Sequence, residues 1–137
     1  MDDQLKINAL TEAIIGAAIE VHRQLGPGLL ESVYRKCLAY ELRKRGHEVI
    51  EEQPIPVVYD GKTHECGFRA DILVERLVVV ELKAKSTIHP VDKAQTLSHL
   101  RLMGLPVGLL MNFHEIKLID GLSRIVNDYQ GPKPSAS

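Results

Sequence analysis

The chain has 137 residues, enough for one domain with its own core. Its 17 basic and 18 acidic side chains nearly cancel, which argues against a polybasic coat for indiscriminate nucleic-acid binding. No apolar run is long enough to cross a bilayer, and Met1-Asp2-Asp3-Gln4 lacks the basic-then-apolar opening of a secretory signal, so a cytoplasmic protein with no membrane partner is expected. Cys37 and Cys66 stand too far apart for a zinc-ligand pattern and read as free thiols.

Residues 1–9 read as an N-terminal segment outside a single domain of residues 10–127, with 128–137 as a flexible tail. Ile14, Ala17, Ala18, Val21 and Leu25 recur at helical spacing and predict a helix from Leu10 to Gln24, stopped by Gly26-Pro27-Gly28. A second helix is expected from Leu30 to Arg45, burying Val33, Cys37, Leu38 and Leu42 and ending at Gly46. Val49, Ile55, Val57 and Val58 mark a first strand, kept irregular or at an edge by Pro54 and Pro56. Asp60-Gly61 predicts a hairpin turn whose return strand continues through Phe68 to Val74. After a turn near Glu75-Arg76, Val78 to Ala84 forms the next strand. Pro90 opens a helix reaching Met103, with Ala94, Leu97, Leu100 and Leu102 or Met103 as its apolar side and Gly104 as its stop. Val107–Phe113 reads as a buried strand, parallel to the preceding one because a helix joins them, and its continuous apolarity leaves room for a homodimer. Ile116–Ile119 reads as a last short strand and Leu122–Val126 as a terminal segment. The order is α-α-β-β-β-α-β-(β).

Asp71 and Glu81 interrupt two segments that are otherwise apolar on both faces. A carboxylate there is costly unless compensated, and two close together are worse unless a cation lies between them. Parity tests their proximity. If Val74 pairs with Val78 around the loop Glu75-Arg76-Leu77, Asp71 lies opposite Glu81 on one face; a loop one residue shorter places them on opposite faces. The longer loop is expected, and Lys83 then shares the face. Hard oxygen ligands suit Mg²⁺ or Mn²⁺, and an adjacent ammonium suits a developing phosphorane charge. The same pattern also reads as a buried Glu–Lys ion pair with Asp71 capping a turn.

Asp71 followed by Glu81-Leu82-Lys83, after an initial helix and within an αβββαβ order, resembles the PD-(D/E)XK nuclease superfamily. More narrowly, Gly28-Leu29-Leu30-Glu31-Ser32-Val33-Tyr34 resembles the signature of the GxxExxY proteins. The stretches Ala18–His22, Phe68–Val74, Ala94–Leu97 and Val107–Phe113 are similar to that family too, so that the resemblance spans about residues 8–127. It implies an α/β, restriction-endonuclease-like fold with a central mixed sheet flanked by helices, and a divalent-metal-dependent nuclease acting on nucleic acid, with DNA the expected form. Asp71, Glu81, Glu31 and the Leu82 carbonyl are then implied as metal ligands. Lys83, Gln95 and Glu31 are implied as catalytic residues.

Four further residues are candidates for substrate contact. His22 and Tyr34 flank the Gly-Pro-Gly turn, and each also reads as a structural hydrogen bonder. Arg69 shares the Asp71 strand face and suits either a phosphate or a pair with Glu31. Lys85 continues the Lys83 face toward substrate or solvent. His99 stands where relatives often carry an aromatic residue, which leaves its role open. The alternative reading is a non-catalytic metal- or partner-binding module on the same fold. An enzyme of small phosphate esters is a third, favoured by a deep pocket over an open groove.

Overall fold

In the computed structural model, which describes residues 2–128, the apolar stripe of the first helix extends upstream of Leu10. Helix α1 spans Asp2–Leu25, and Ile7 and Leu10 join Ile14, Ala17, Ala18 and Val21 on its buried side. Residues 2–9 are therefore its opening turns, with Ile7 already anchored, and not a segment apart. The expected tail from 129 onward lies outside the described residues.

Helix α2 spans Glu31–Lys44 and buries Tyr34, Leu38, Ala39, Glu41 and Leu42. Val33 and Cys37, expected inside, are part-exposed. The stripe is displaced because the larger Tyr34 takes the inward position, its ring stacked on Phe113 at 4.5 Å between centroids. A buried aromatic ring outweighs a valine in apolar area and so sets the helix rotation.

The main sheet runs in the order β1-β4-β5-β6-β7. Its strands are β1 (Val49–Pro54), β4 (Arg69–Val74), β5 (Val78–Lys83), β6 (Val107–Asn112) and β7 (Leu122–Val126). All pairings are antiparallel except β5 with β6, which is parallel, as the intervening helix α3 (Pro90–Met103) requires. Val80, Leu82, Leu109 and Met111 meet α1 and α2 on one face, while Leu73 and Val79 meet Leu100 of α3 on the other. This is the expected mixed α/β sandwich.

The strand expected over residues 49–58 divides in two. β1 ends at Pro54, Ile55 bonds through its N–H to the Phe68 carbonyl at 2.8 Å, and Val57–Tyr59 (β2) pairs instead with Lys62–His64 (β3). Asp60 and Gly61 turn this separate hairpin with φ of 55° and 73°, the sign a tight hairpin demands. The return strand therefore stops at His64 and does not run into β4. β1 lies at the sheet edge, where its proline costs no ladder bond. β6, whose apolarity admitted a dimer contact, is buried along its whole length between β5 and β7, so that apolarity is satisfied inside the sheet.

Ile116–Ile119 is not a strand. Leu118 drops into the core and opens a 3₁₀ turn, Leu118–Gly121, that reverses the chain so β7 can lie against β6. Gly121 allows that reversal, because a Cβ there would stand 2.7 Å from the Asn112 carbonyl oxygen. Gly121→Ala is expected to cost about 1–3 kcal/mol, the usual penalty of overpacking against backbone. Urea denaturation checks it, and an unchanged midpoint would show that the turn yields freely.

Candidate active site

The β4–β5 ladder runs from Val74 opposite Val78, through Leu73 and Val79, to Ile72 opposite Val80. The Glu75-Arg76-Leu77 loop has the expected length, and its first two residues take φ of 52° and 54°. Beyond Ile72 the strands stop exchanging carbonyl bonds and exchange carboxylate bonds. The Asp71 N–H donates to Glu81 Oε2 at 3.0 Å, and the Leu82 N–H donates to Asp71 Oδ2 at 2.8 Å. The two acids are thus brought together, each set on the other's strand.

Their electrostatics reflect this crowding. Desolvation raises the Asp71 carboxyl from its ordinary value to about 6; the Leu82 N–H opposes the rise, and the charges of Glu81 and Glu31 add to it. Glu31, in the first turn of α2, is also raised, chiefly by desolvation, with Lys83 opposing and Glu81 reinforcing the shift. Glu81 is buried, and its second oxygen, Oε1, lies 2.7 Å from His99 Nδ1 on α3. Glu31, Asp71, Glu81 and Lys83 therefore act on one another as a single charge cluster.

Lys83 extends from the end of β5 and donates from Nζ to Gln95 Oε1 at 3.2 Å, which joins the two implied catalytic residues. Lys85 turns back to Asp92, its Nζ 2.8 Å from the carboxylate. Asp92 also accepts the His89 N–H at the start of α3, and the two contacts hold its carboxyl below the usual range. Asn112 fixes the strand end: its side chain bonds both the Lys85 N–H, at 3.1 Å, and the Lys85 carbonyl, at 2.7 Å. Phe113 N–H adds a bond to the Lys83 carbonyl.

Two candidates serve the scaffold. His22 Nε2 lies 2.8 Å from the Glu115 carbonyl. The Tyr34 hydroxyl donates to the Gly26 carbonyl at 2.6 Å and accepts from the Leu29 N–H at 3.0 Å, which ties the Gly-Pro-Gly turn shut. Arg69 does not pair with Glu31; it is exposed and reaches the Glu52 carbonyl at 3.4 Å. The Leu82 side chain belongs to the core, and only its backbone faces Asp71.

Sequence reasoning missed that the buried side of α3 is polar. Asp92, Thr96, His99 and Leu100 are inside, while Ala94 is exposed. The apolar pattern pointed elsewhere because this face serves Glu81 and Lys85. The spacing of Asp92, Thr96 and His99, four and then three residues apart, is the signal that was there to find.

A mixed sheet between helix layers, with an Asp and a Glu-x-Lys meeting at the end of two adjacent strands, defines a restriction-endonuclease-like domain. The model of the PD-(D/E)XK nuclease superfamily matches residues 8–125, and the chain belongs to that superfamily. Neither a curated protein nor a solved structure gives a significant match.

Nucleases of this superfamily generally use divalent metals. The donor set here, carboxylates with pKa values raised by burial and by one another, suits a hard cation that would relieve the repulsion. Among the described residues, however, no three His, Cys, Asp or Glu side chains converge on one point as they stand, because Asp71 and Glu81 are turned onto backbone amides.

The raised Asp71 pKa has a stability consequence. The folded protein holds this proton more tightly than the unfolded chain, so stability is greatest below about pH 4 as far as this group is concerned, and falls as pH rises to about 6. Asp71→Asn removes the penalty. In chelator it is expected to raise the melting temperature at pH 7.5, with the gain fading towards pH 4. An equal gain at both pH values would contradict the assignment.

Proposed function

We propose that the protein is a Mg²⁺- or Mn²⁺-dependent nuclease that hydrolyses phosphodiesters of nucleic acid, with DNA the expected substrate, and that it falls among the GxxExxY proteins of its superfamily. The observation that carries this reading is the Asp71–Glu81 cross-strand pair beside Lys83 in a PD-(D/E)XK domain. Gly28, Glu31 and Tyr34 support the narrower placement.

Asp71, Glu81, Glu31 and the Leu82 carbonyl would hold the metal. Bound there, a divalent cation supplies Lewis acidity, screening the phosphate and lowering the pKa of water. Lys83, steadied by the Gln95 amide oxygen, orients the attacking water and offsets negative charge on the phosphorane. Gln95 acts through Lys83. Arg69, exposed on the strand of Asp71, is a phosphate contact. Lys85 is held on Asp92 and fixes the start of α3 while remaining part-exposed to substrate. His22 and Tyr34 hold the scaffold. Arg69 and Gln95 are exposed, which suits a polymer strand laid across an open face better than a small ester enclosed in a pocket.

The competing reading is a module that keeps the fold without hydrolysis, and the amide bonds that occupy both carboxylates favour it. Cleavage decides between them. Single- and double-stranded DNA and RNA, incubated with Mg²⁺, Mn²⁺ or chelator, are expected to show metal-dependent cleavage. Glu81→Gln and Lys83→Ala should each lower it at least about 100-fold while melting cooperatively. If either variant cuts like the wild type, its role is wrong. If no substrate is cut, the weight moves to the module.

A further inference from the structure

Among the described residues, the one buried side-chain nitrogen or oxygen without a hydrogen-bond partner in the protein is Nε of Arg35. Such exceptions ask for an explanation. Arg35 stands one turn after Glu31 on α2, its side chain 17% exposed, and reaches towards β1. Its Nε is 3.7 Å from Glu51 Oε1 and its Nη2 is 3.8 Å from Glu52 Oε2, both beyond hydrogen-bonding distance. Glu51 is held more closely by Arg43, at 2.9 Å.

Glu52 marks where this points. It sits between the pairs Glu51–Ile72 and Gln53–Ala70, opposite Asp71, and takes φ of 51°. Its carbonyl receives the long contact from Arg69, and its side chain, 54% exposed, receives the long contact from Arg35. Two guanidinium groups thus contact one exposed residue opposite Asp71, Arg69 at its carbonyl and Arg35 at its carboxylate, neither in a close bond with an acid. The Arg35 charge also acts on Glu31. Lys83 and Gln95 lie on the α3 side of the acids, and this pair of arginines lies on the β1 side.

We propose that Arg35 and Arg69 form a seat for a phosphate next to the scissile one, the anion displacing the Glu52 carboxylate from Arg35. This deepens the nuclease reading and rests on it. The planar guanidinium fork of Arg35 supplies parallel donors to a phosphate, which a lysine at that position does not. Glu52 is the built-in competitor, so its removal strengthens the seat.

The test is oligonucleotide binding, followed by fluorescence anisotropy with Ca²⁺ replacing Mg²⁺ to preserve the strand, alongside cleavage in Mg²⁺. Arg35→Gln is expected to raise the Kd about tenfold and to lower the slope of log Kd against log salt by about one, the signature of one lost phosphate contact. Arg35→Lys recovers the slope but not the affinity. Glu52→Gln lowers the Kd. A single neutral methylphosphonate, placed in turn at each phosphate flanking the cut, weakens wild-type binding at one position and leaves Arg35→Gln indifferent there. The methylphosphonate scan and Glu52→Gln carry the test even if Arg35→Gln fails to fold. Wild-type cleavage with no sensitive flanking phosphate, or with an Arg35→Gln salt slope like the wild type, overturns the seat and leaves the nuclease reading standing. A wild type that neither binds nor cuts overturns both.

Discussion

Two carboxylates side by side at the end of a strand pair, Glu81 buried and Asp71 half-buried, are the constraint around which this domain is organised. Like charges there repel, and desolvation, reinforced by the charges of Glu81 and Glu31, lifts Asp71 well above an ordinary aspartate. The fold answers with directed hydrogen bonds. Asp71 and Glu81 take over the amides of the facing strand, and His99 holds the remaining Glu81 oxygen. The strands give up their ordinary ladder where the acids enter, and neighbouring elements restrain them there. Asn112 clips the chain after β5 to the end of β6, and Lys85 binds the first turn of α3.

This arrangement accounts for the unusual division of labour between the sheet faces. The α1–α2 side is filled with aliphatic side chains and two stacked rings, Tyr34 and Phe113. The α3 side has a smaller apolar cluster, and its helix turns Asp92, Thr96 and His99 inward. One face supplies most of the hydrophobic burial. The other gives up part of that burial to hold polar side chains in fixed orientations.

Much of this was legible in the residues. Parity and loop length were enough to bring Asp71 opposite Glu81, because a single-residue register slip would have sent one of them to the other face. Pro90 and Gly104 marked the ends of α3 correctly for reasons local to the backbone. What stayed hidden depends on partners far away in sequence. Nothing near Tyr34 says that it will stack on Phe113 and rotate α2 away from the stripe that Val33 and Cys37 suggested. The detached β2–β3 hairpin looked like one long strand because alternation does not show where a ladder changes partner. The unsatisfied Nε of Arg35 appears only once α2 and β1 are packed together.

The Tyr34 hydroxyl, which ties Gly26 to Leu29, also fixes how the acids are supplied. Asp71 and Glu81 belong to adjacent strands of the sheet and are bonded to each other's backbone. Glu31 stands at the start of α2, next to a glycine-rich turn that the Tyr34 phenol holds closed. The third acid is therefore anchored independently of the other two. Loosening that knot would leave the sheet intact and shift Glu31 relative to Asp71 and Glu81. The charge that Asp71 feels is thus shaped by a turn outside the sheet as well as by its strand neighbours.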